Sequence, residues 1–387
     1  MEFKRSFLIT FILGTSLTLG FAGGYYAHAH FDLWRDQFPV LNQAFDILGD
    51  NGLKPMPEKP ALEYGMIRGM LQAYDDPYTL FVEPPQHELE SNALQGSFGG
   101  IGVRLTRDLE GYVILYPFQG SPASEVGIID GDRLIFVDDM EISPEVTIES
   151  VQAALRGPVG QSVRVTISRP PDNGQLEFII RRAEIPLPSV AWHIDSDIPE
   201  VGVIELNIIA ASTVQEVQSA IRDLQQRGAQ YFILDLRDNF GGLLTAGVDV
   251  ARLFLDNGII MEYENRDQKI EVYRVEQPGE FVDVPLVVIV NENTASASEI
   301  IAGALKAHQR ARIVGTHTYG KNTIQLVFDL MDGSSLHVTS AQWWIPGLEP
   351  PIGKGGLEPD FYTETTPDEA GVDAAIREAS LVLMRLK

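Results

Sequence analysis

Apolar residues follow three different patterns along the chain. Residues 38–48 and 60–74 carry them at helical spacing, which predicts two helices. From 96 to 184, short apolar runs are separated by glycine-containing turns, which is typical of a small β-rich domain. From 185 onward, apolar strands alternate with amphipathic helices. That alternation predicts an α/β core with a mixed, largely parallel sheet.

Two polar positions lie close to predicted element boundaries in the α/β part. A strand at 285–290 is followed by a helix that begins near Ser296, and Lys321 stands just before a strand at 323–329. Ser296-x-x-Glu299 is also a capping box, which by itself explains a helix start. Lys321 by itself fits a solvated lysine at a strand edge. Within a strand, Lys321 and Gln325 share one face because side chains alternate with a period of two.

The chemistry that these residues can perform is acyl transfer. A serine hydroxyl is a weak nucleophile and needs a base beside it. A lysine is such a base when burial keeps it neutral. The tetrahedral intermediate also needs amide donors for its oxyanion. The N–H of Ala297 is one candidate, and the Gly241-Gly242 pair after a predicted strand supplies a second.

Three motifs resemble the carboxyl-terminal processing peptidases, also called tail-specific proteases. They are LDLRDNFGGLL, TASASEIIAGAL and YGKNTIQ, and the resemblance runs from about residue 61 to the C-terminus. It implies that Ser296 is the nucleophile, Lys321 the general base and Gln325 the residue that orients the lysine. It assigns the oxyanion donors to Ala297 and to a glycine of the Gly241-Gly242 pair, with Gly242 preferred.

The sequence departs from that family at two positions beside these motifs. Phe240 stands where proline or glycine is common, and Asn322 stands where glycine is common. Neither change removes a catalytic atom, although Asn322 bears on the loop that sets the lysine.

The glycine-containing region 96–184 resembles a PDZ domain of the circularly permuted bacterial kind. The resemblance rests on Ser121-Pro122-Ala123, followed by Gly131-Asp132-Arg133-Leu134. It implies that a peptide C-terminus is bound by strand addition, with backbone amides receiving the carboxylate. Arg156 ends a predicted helix at 148–155, where a cation is favourable in any case. The predicted peptide-binding residues are Phe98, Gly99, Gly100, Ile101, Gly102, Val103 and Arg156.

The N-terminal 30 residues have the pattern of a targeting segment. Lys4 and Arg5 precede an uncharged run at 6–27, and Ala27-His28-Ala29 resembles a cleavage site. The 20 residues 7–26 also have the length of a membrane-spanning helix. We favour an uncleaved anchor over a signal peptide because the run is long. Both interpretations place the rest of the chain outside the cytoplasm. The predicted divisions are 1–30 targeting segment, 31–95 helical region, 96–184 PDZ domain and 185–387 serine protease core.

Charge and composition exclude several classes of partner. With 29 basic and 54 acidic residues, the net charge of −25 argues against nucleic acid and anionic membrane surfaces. The chain has no cysteine, hence no disulfide or thiolate metal site. Its seven histidines show no metal-ligand spacing. We therefore expect no metal and no cofactor.

These observations predict a serine endopeptidase that acts on protein or peptide substrates chosen partly by their C-termini. One alternative is a catalytically silent PDZ adaptor that captures C-terminal tails. Another is a Ser–His hydrolase with His308 or His317 as its base. The sequence leaves homo-oligomerisation open.

Overall fold

The structure is a computed structural model that describes residues 38–171, 174–364 and 373–385. The predicted targeting segment lies outside these residues. Within the described ranges, no helix is both long and apolar enough to cross a membrane. The chain divides into two compact units, residues 1–74 and 75–387.

The described part of the first unit contains two helices, as the apolar spacing predicts. They are α1 (Pro39–Asn51) and α2 (Lys59–Tyr74). Pro39 opens α1, a position where its missing N–H costs nothing. Neither helix has a buried residue. Apolar side chains such as Val40 and Leu48 are therefore exposed in this unit.

The second unit begins with short elements that lead into the predicted PDZ region. These are β1 (Leu80–Val82), α3 (Pro84–Gln95) and β2 (Ser97–Gly100). A six-stranded antiparallel sheet then folds around a core of its own that includes Leu115, Val165 and Val151. Its elements are β3 (Val103–Arg107), β4 (Val113–Pro117), α4 (Pro122–Glu125), β5 (Asp132–Val137), β6 (Met140–Glu141), α5 (Ile148–Leu155), β7 (Ser162–Arg169) and β8 (Gly174–Arg181).

A two-stranded ribbon connects this domain to the rest of the unit. Strand β9 (Ala183–Pro186) pairs antiparallel with β2, so that Phe98 lies opposite Ile185 and Gly100 opposite Ala183. We call this pair the β2–β9 ribbon. Both chain passages between the PDZ domain and the α/β core run through it.

The α/β core contains the predicted parallel sheet. Its strand order is β10-β11-β12-β15-β16-β19, parallel from β11 to β19, with β10 antiparallel at the edge. The elements are β10 (Val190–Ile194), β11 (Val201–Leu206), α6 (Thr213–Gln226), β12 (Tyr231–Asp235), α7 (Leu244–Arg252), β13 (Ile259–Asn265), β14 (Ile270–Arg274), β15 (Leu286–Val290), α8 (Ala297–Ala307), β16 (Arg312–Gly315), β17 (Thr323–Asp329), β18 (Ser335–Trp344), β19 (Phe361–Tyr362) and α9 (Ala374–Arg385).

Helices cover both faces of the parallel sheet. In β15, Val287 and Ile289 belong to the core that contains α9. Val288 and Val290 belong to the larger core formed with α6, α7 and α8. This alternation explains why β15 is an unbroken apolar run, since a strand covered on both faces needs no polar side.

A second sheet is antiparallel and was not predicted. It has the order β1-β18-β13-β14, and β17 pairs with β18. Lys321 lies two residues before β17 and so at this second sheet, whereas Ser296 follows a strand of the parallel sheet. The strand–helix–strand pattern around Ser296 therefore does not by itself bring the two residues together. Their backbones come close where the two sheets meet.

Candidate active site

Ser296 lies at a sharp turn between β15 and α8. Thr294 fixes the preceding loop, because its hydroxyl donates to the carbonyl of Leu236 at 2.8 Å and accepts from the N–H of Asn291 at 3.0 Å. Ser296 is the residue before α8 and has φ 55° and ψ −118°, a conformation that non-glycine residues rarely adopt. It is partly exposed, while Ser298 is fully buried. Of the two serines, Ser296 is the one that a substrate can reach.

The buried carboxylate of Glu299 holds the Ser296 turn and the Lys321 loop together. Its Oε2 accepts from the backbone N–H of Ser296 and of Lys321, both at 2.9 Å. Its Oε1 accepts from the hydroxyl of Thr318 at 2.5 Å and the N–H of Gly320 at 2.7 Å. Two nitrogens that share one oxygen must be close to each other. Glu299 therefore does more than the capping role that the sequence suggests.

The Glu299 carboxyl is fully buried, and two opposing effects act on its ionisation. Burial raises its pKa, since the charged form loses hydration, and its hydrogen bonds act in the opposite direction. The four hydrogen-bond partners of Glu299 described above are all donors, which suits the ionised form.

Lys321 and Gln325 are in contact, although Lys321 lies outside β17 and the β17–β18 pairing shifts register between Ile324 and Gln325. The amine of Lys321 donates to Oε1 of Gln325, and Nε2 of Gln325 donates to the carbonyl of Tyr78. Burial lowers the pKa of Lys321, whereas the charges of Glu299 and Asp76 act to raise it. In this conformation, no hydrogen bond joins Lys321 to the hydroxyl of Ser296 in the part of the chain described.

The predicted oxyanion residues converge beside Ser296. A Cβ atom on Gly241 would lie 2.9 Å from Cβ of Ser296 and 3.1 Å from the nitrogen of Ala297, so a side chain there would fill this space. The N–H of Gly241 is used, since it donates to Oδ1 of Asn239 at 2.9 Å. Among the described residues, the N–H groups of Gly242 and Ala297 have no acceptor. Of the two glycines, Gly242 is therefore the one whose N–H group has no partner among the described residues.

The two histidines considered as bases are placed differently. His308 follows α8, twelve residues after Ser296 and hence about 18 Å along the helix. Its Nε2 contacts the carbonyl of Ile259 at 2.8 Å. His317 is exposed, and its side chain makes no hydrogen bond within the described ranges. Neither histidine has a contact that directs it at Ser296.

Most of the predicted peptide-binding residues line one groove of the PDZ domain. The groove is lined by Gly100, Gly102 and Arg156. Its apolar lining side chains are those of Phe98, Ile101, Val103, Leu105 and Leu155. Gly99 is an exception. It lies opposite Glu184 in the ribbon, its carbonyl accepts from the N–H of Gly157 at 3.0 Å, and an added Cβ would lie 2.1 Å from the Gly157 carbonyl oxygen. Gly99 therefore permits a close backbone contact and does not line the groove.

Arg156 lies in the groove, and another arginine occupies the helix end. The guanidinium carbon of Arg156 is 4.6 Å from the ring centroid of Phe98. The last carbonyls of α5 are taken by Arg182, which donates to Leu155 at 3.1 Å and Ala154 at 2.9 Å. The cation at the helix C-terminus is thus mainly Arg182, which leaves Arg156 beside the groove.

Comparison with known proteins identifies the family. A model of peptidase family S41 matches residues 200–363, and a PDZ domain model matches residues 113–169. A carboxyl-terminal-processing protease of Picosynechococcus sp. is 38% identical over 310 residues, which is 79% of this chain and 73% of that protein. The carboxy-terminal processing protease CtpA of Bacillus subtilis is 32% identical over 366 residues, 94% of this chain and 77% of that protein.

The chain belongs to peptidase family S41. The resemblance drawn from its three motifs is thereby confirmed, and this S41 peptidase is a serine-type, carboxyl-terminal processing protease with a PDZ domain. The assignment favours an enzyme over a silent adaptor.

Two features of the site were missed in the sequence. Glu299 was interpreted only as a capping residue, although its place in the Ser296 motif was a signal. Tyr78 lies in the turn 75–79 that follows the predicted helix at 60–74, and no site residue was predicted there. Its carbonyl contacts Gln325, 247 residues away in sequence.

Replacing Glu299 tests its anchoring role. In Glu299→Gln, an NH₂ group faces N–H donors in place of an oxygen, leaving buried groups without partners. We expect the free energy of unfolding to fall by about 1–3 kcal/mol, and proteolytic activity to fall at least roughly tenfold because the Ser296 and Lys321 backbones separate. Denaturant unfolding and cleavage rates measure both. The matched control is Glu292→Gln, since Glu292 is exposed in the same segment. Equal behaviour of the two variants would contradict the role.

Proposed function

We propose that this S41 peptidase is an endopeptidase that uses a Ser296–Lys321 dyad and selects substrates partly by C-termini bound to its PDZ domain. The observation that carries the proposal is the Glu299 oxygen shared by the backbone N–H groups of Ser296 and Lys321. It supports a hydroxyl and an amine that act as neighbours.

Lys321 has the environment that a general base needs. Burial lowers its pKa and so favours the neutral amine, which has a lone pair. One amine N–H donates to Gln325, and this contact restricts the directions in which the lone pair points. The proposal requires the amine to turn toward Ser296 while it keeps the Gln325 contact. A neutral amine can do both, because it has N–H donors and an acceptor lone pair.

The proposed reaction has two stages. Ser296 Oγ attacks the carbonyl carbon of the scissile peptide as its proton moves to Lys321 Nζ, and the oxyanion accepts from the N–H groups of Ala297 and Gly242. The Lys321 ammonium then protonates the leaving amine, and an ester to Ser296 remains. In the second stage, Lys321 takes a proton from water, which attacks the ester. Collapse of this intermediate returns the proton to Ser296 and releases the new C-terminus.

The PDZ groove supports selection by C-terminal tails. Its lining side chains are mostly apolar and lie between the strand edge at Val103 and helix α5. A tail added at that edge gains backbone hydrogen bonds, while its apolar side chains fill the groove. Arg156 stands at the groove beside Phe98, where it can sense whether a tail is present. We propose that Arg156 couples tail capture to alignment of the catalytic residues.

The dyad is tested by three alanine variants. Ser296→Ala and Lys321→Ala should each lower the cleavage rate of an unstructured test protein by at least about 10³-fold, because each removes a group that acts in both stages. Thermal unfolding should show that the fold is retained. Ser298→Ala is the control, since Ser298 is fully buried, and it should remain active. An inactive Ser298→Ala with an active Ser296→Ala would mean that the nucleophile is misassigned.

The pH dependence follows from the ionisation of Lys321. Only the neutral amine accepts the serine proton, so kcat/KM should rise with pH and level off on the alkaline side of neutrality. The rise should lie below the usual lysine pKa of about 10.4, because burial lowers the pKa of Lys321. Initial rates across the pH range measure it. A profile set by a group near about 6.5 and lost in His317→Ala would favour the histidine base.

Tail selection is tested with one substrate carrying different C-termini. Wild-type protein should cleave the version with an apolar tail roughly tenfold faster than a version ending in charged residues, a ratio that corresponds to about 1.4 kcal/mol. Arg156→Ala should reduce this ratio without unfolding the domain. Arg164→Ala, at an exposed arginine paired with Asp139, is the control and should keep it. Equal cleavage of both tails by wild-type protein would remove the PDZ domain from substrate selection.

A further inference from the structure

The turn before β1 is held rigidly against β18. Asp76 Oδ1 accepts from the N–H of Tyr78 at 3.2 Å, and its Oδ2 accepts from the hydroxyl of Thr79 at 2.5 Å. The buried Thr79 hydroxyl also accepts from the N–H of Thr339 on β18 at 3.1 Å. Hydrogen bonds of Asp76 and Thr79 thus hold the backbone on both sides of Tyr78. This arrangement determines the direction of the Tyr78 carbonyl.

Tyr78 contacts both residues of the base assembly. Its backbone carbonyl accepts from Nε2 of Gln325, whose Oε1 accepts from the amine of Lys321. Its ring centroid lies 5.4 Å from Nζ of Lys321, within cation–π range. The backbone and the side chain of one residue therefore act on the same amine by different means.

We propose that Tyr78 is a positioning residue for Lys321: its carbonyl sets the orientation of the Gln325 amide, and its ring stabilises the ammonium ion that Lys321 becomes. The inference rests on the proposed Ser–Lys dyad.

The carbonyl contact determines which end of the amide faces the lysine. A glutamine side chain can present either its oxygen or its NH₂ group after a half-turn. An acceptor at Nε2 selects the orientation in which Oε1 points at Lys321. The reversed amide would direct donors at an amine that has to donate, and the lone pair would lose its orientation.

The ring acts on one protonation state more than on the other. An aromatic face attracts a cation through its quadrupole and has little attraction for a neutral amine. In the proposed mechanism, Lys321 is neutral before the reaction and gains the serine proton as the tetrahedral intermediate forms. The ring therefore contributes mainly after proton transfer has begun, which is the condition for raising kcat.

The phenol hydroxyl is not needed for this effect. Burial raises the pKa of Tyr78, and Tyr319, Glu299 and Asp76 raise it further. These effects favour the uncharged phenol, and phenylalanine keeps the aromatic face that acts on Lys321.

The test compares Tyr78→Phe with Tyr78→Leu. Both kcat and KM are measured against pH for cleavage that is lost in Lys321→Ala. Tyr78→Phe should stay within about twofold of wild type, since the ring remains. Tyr78→Leu should lower the plateau kcat by roughly 3- to 30-fold with KM unchanged. The increase of its activity with pH should also begin at a lower pH than in wild type. Leucine still covers the amine but no longer stabilises the ammonium form, so the pKa of Lys321 falls.

The comparison leaves the other groups that act on Lys321 unchanged. Among the described residues, these groups include the titratable side chains of Glu299, Asp76 and His337. Tyr112→Leu is the matched control, because Tyr112 also lies under a cation, with the Arg133 guanidinium 4.5 Å from its ring, but in the PDZ domain. It should leave the plateau kcat and the pH profile as in wild type. Thermal unfolding selects a temperature at which every variant is folded.

The outcomes separate the inference from the dyad on which it rests. Equal kcat and equal pH profiles for Tyr78→Phe and Tyr78→Leu would overturn the role of Tyr78 and leave the dyad intact, since Lys321→Ala would still be inactive. An active Lys321→Ala would overturn the dyad and the inference together. A purely structural role would shift the unfolding temperature of Tyr78→Leu without shifting its pH profile.

Discussion

The buried carboxylate of Glu299 holds the Ser296 turn and the Lys321 loop next to each other. A buried charge is costly unless it is fully hydrogen-bonded, and Glu299 meets this requirement with donors from its own helix start and from the Thr318–Lys321 loop. Helix α8 packs on the parallel sheet, whereas β17 belongs to the antiparallel one. Glu299 therefore fastens one sheet system to the other at the point where chemistry is proposed. The geometry of the lysine depends on this junction as much as on its own strand.

Local patterns were sufficient to predict most of the elements. The predicted bounds of α5 and β17 agree with the structure, and Ser296 precedes a helix as expected. The contact of Lys321 with Gln325 forms too, although Lys321 precedes β17 and the β17–β18 pairing shifts register before Gln325. The element bounds depend on residues a few positions apart, where the period of 3.6 or 2 constrains the side chains directly. The family motifs added the assignment of chemistry to those positions.

Features that depend on distant contacts were not predictable in this way. Nothing local to β17 shows that it joins an antiparallel sheet and not the neighbouring parallel one. Tyr78 acts on Gln325 through a main-chain carbonyl, an atom that every residue has, so its identity gives no signal of that contact. Arg182 was hidden for a similar reason, since it caps a helix that ends 27 residues earlier. Helix α9 is a different case, because its apolar residues recur at helical spacing and it was nevertheless not among the predicted elements.

The β2–β9 ribbon makes the PDZ domain continuous with the protease framework. Gly96, next to β2, packs so closely on Ser212 that an added Cβ would lie 2.2 Å from its hydroxyl oxygen. The neighbouring Ala211 donates to the carbonyl of Leu94 at 2.9 Å, and Ile209, two residues before it, donates to the carbonyl of Gly241 at 3.0 Å. The PDZ domain therefore cannot be exchanged as if a flexible linker joined it to the protease core. A replacement PDZ domain that binds new tails has to preserve these backbone hydrogen bonds. The loop 209–212, on which the entry to the PDZ domain packs, is also hydrogen-bonded to Gly241 beside the proposed nucleophile.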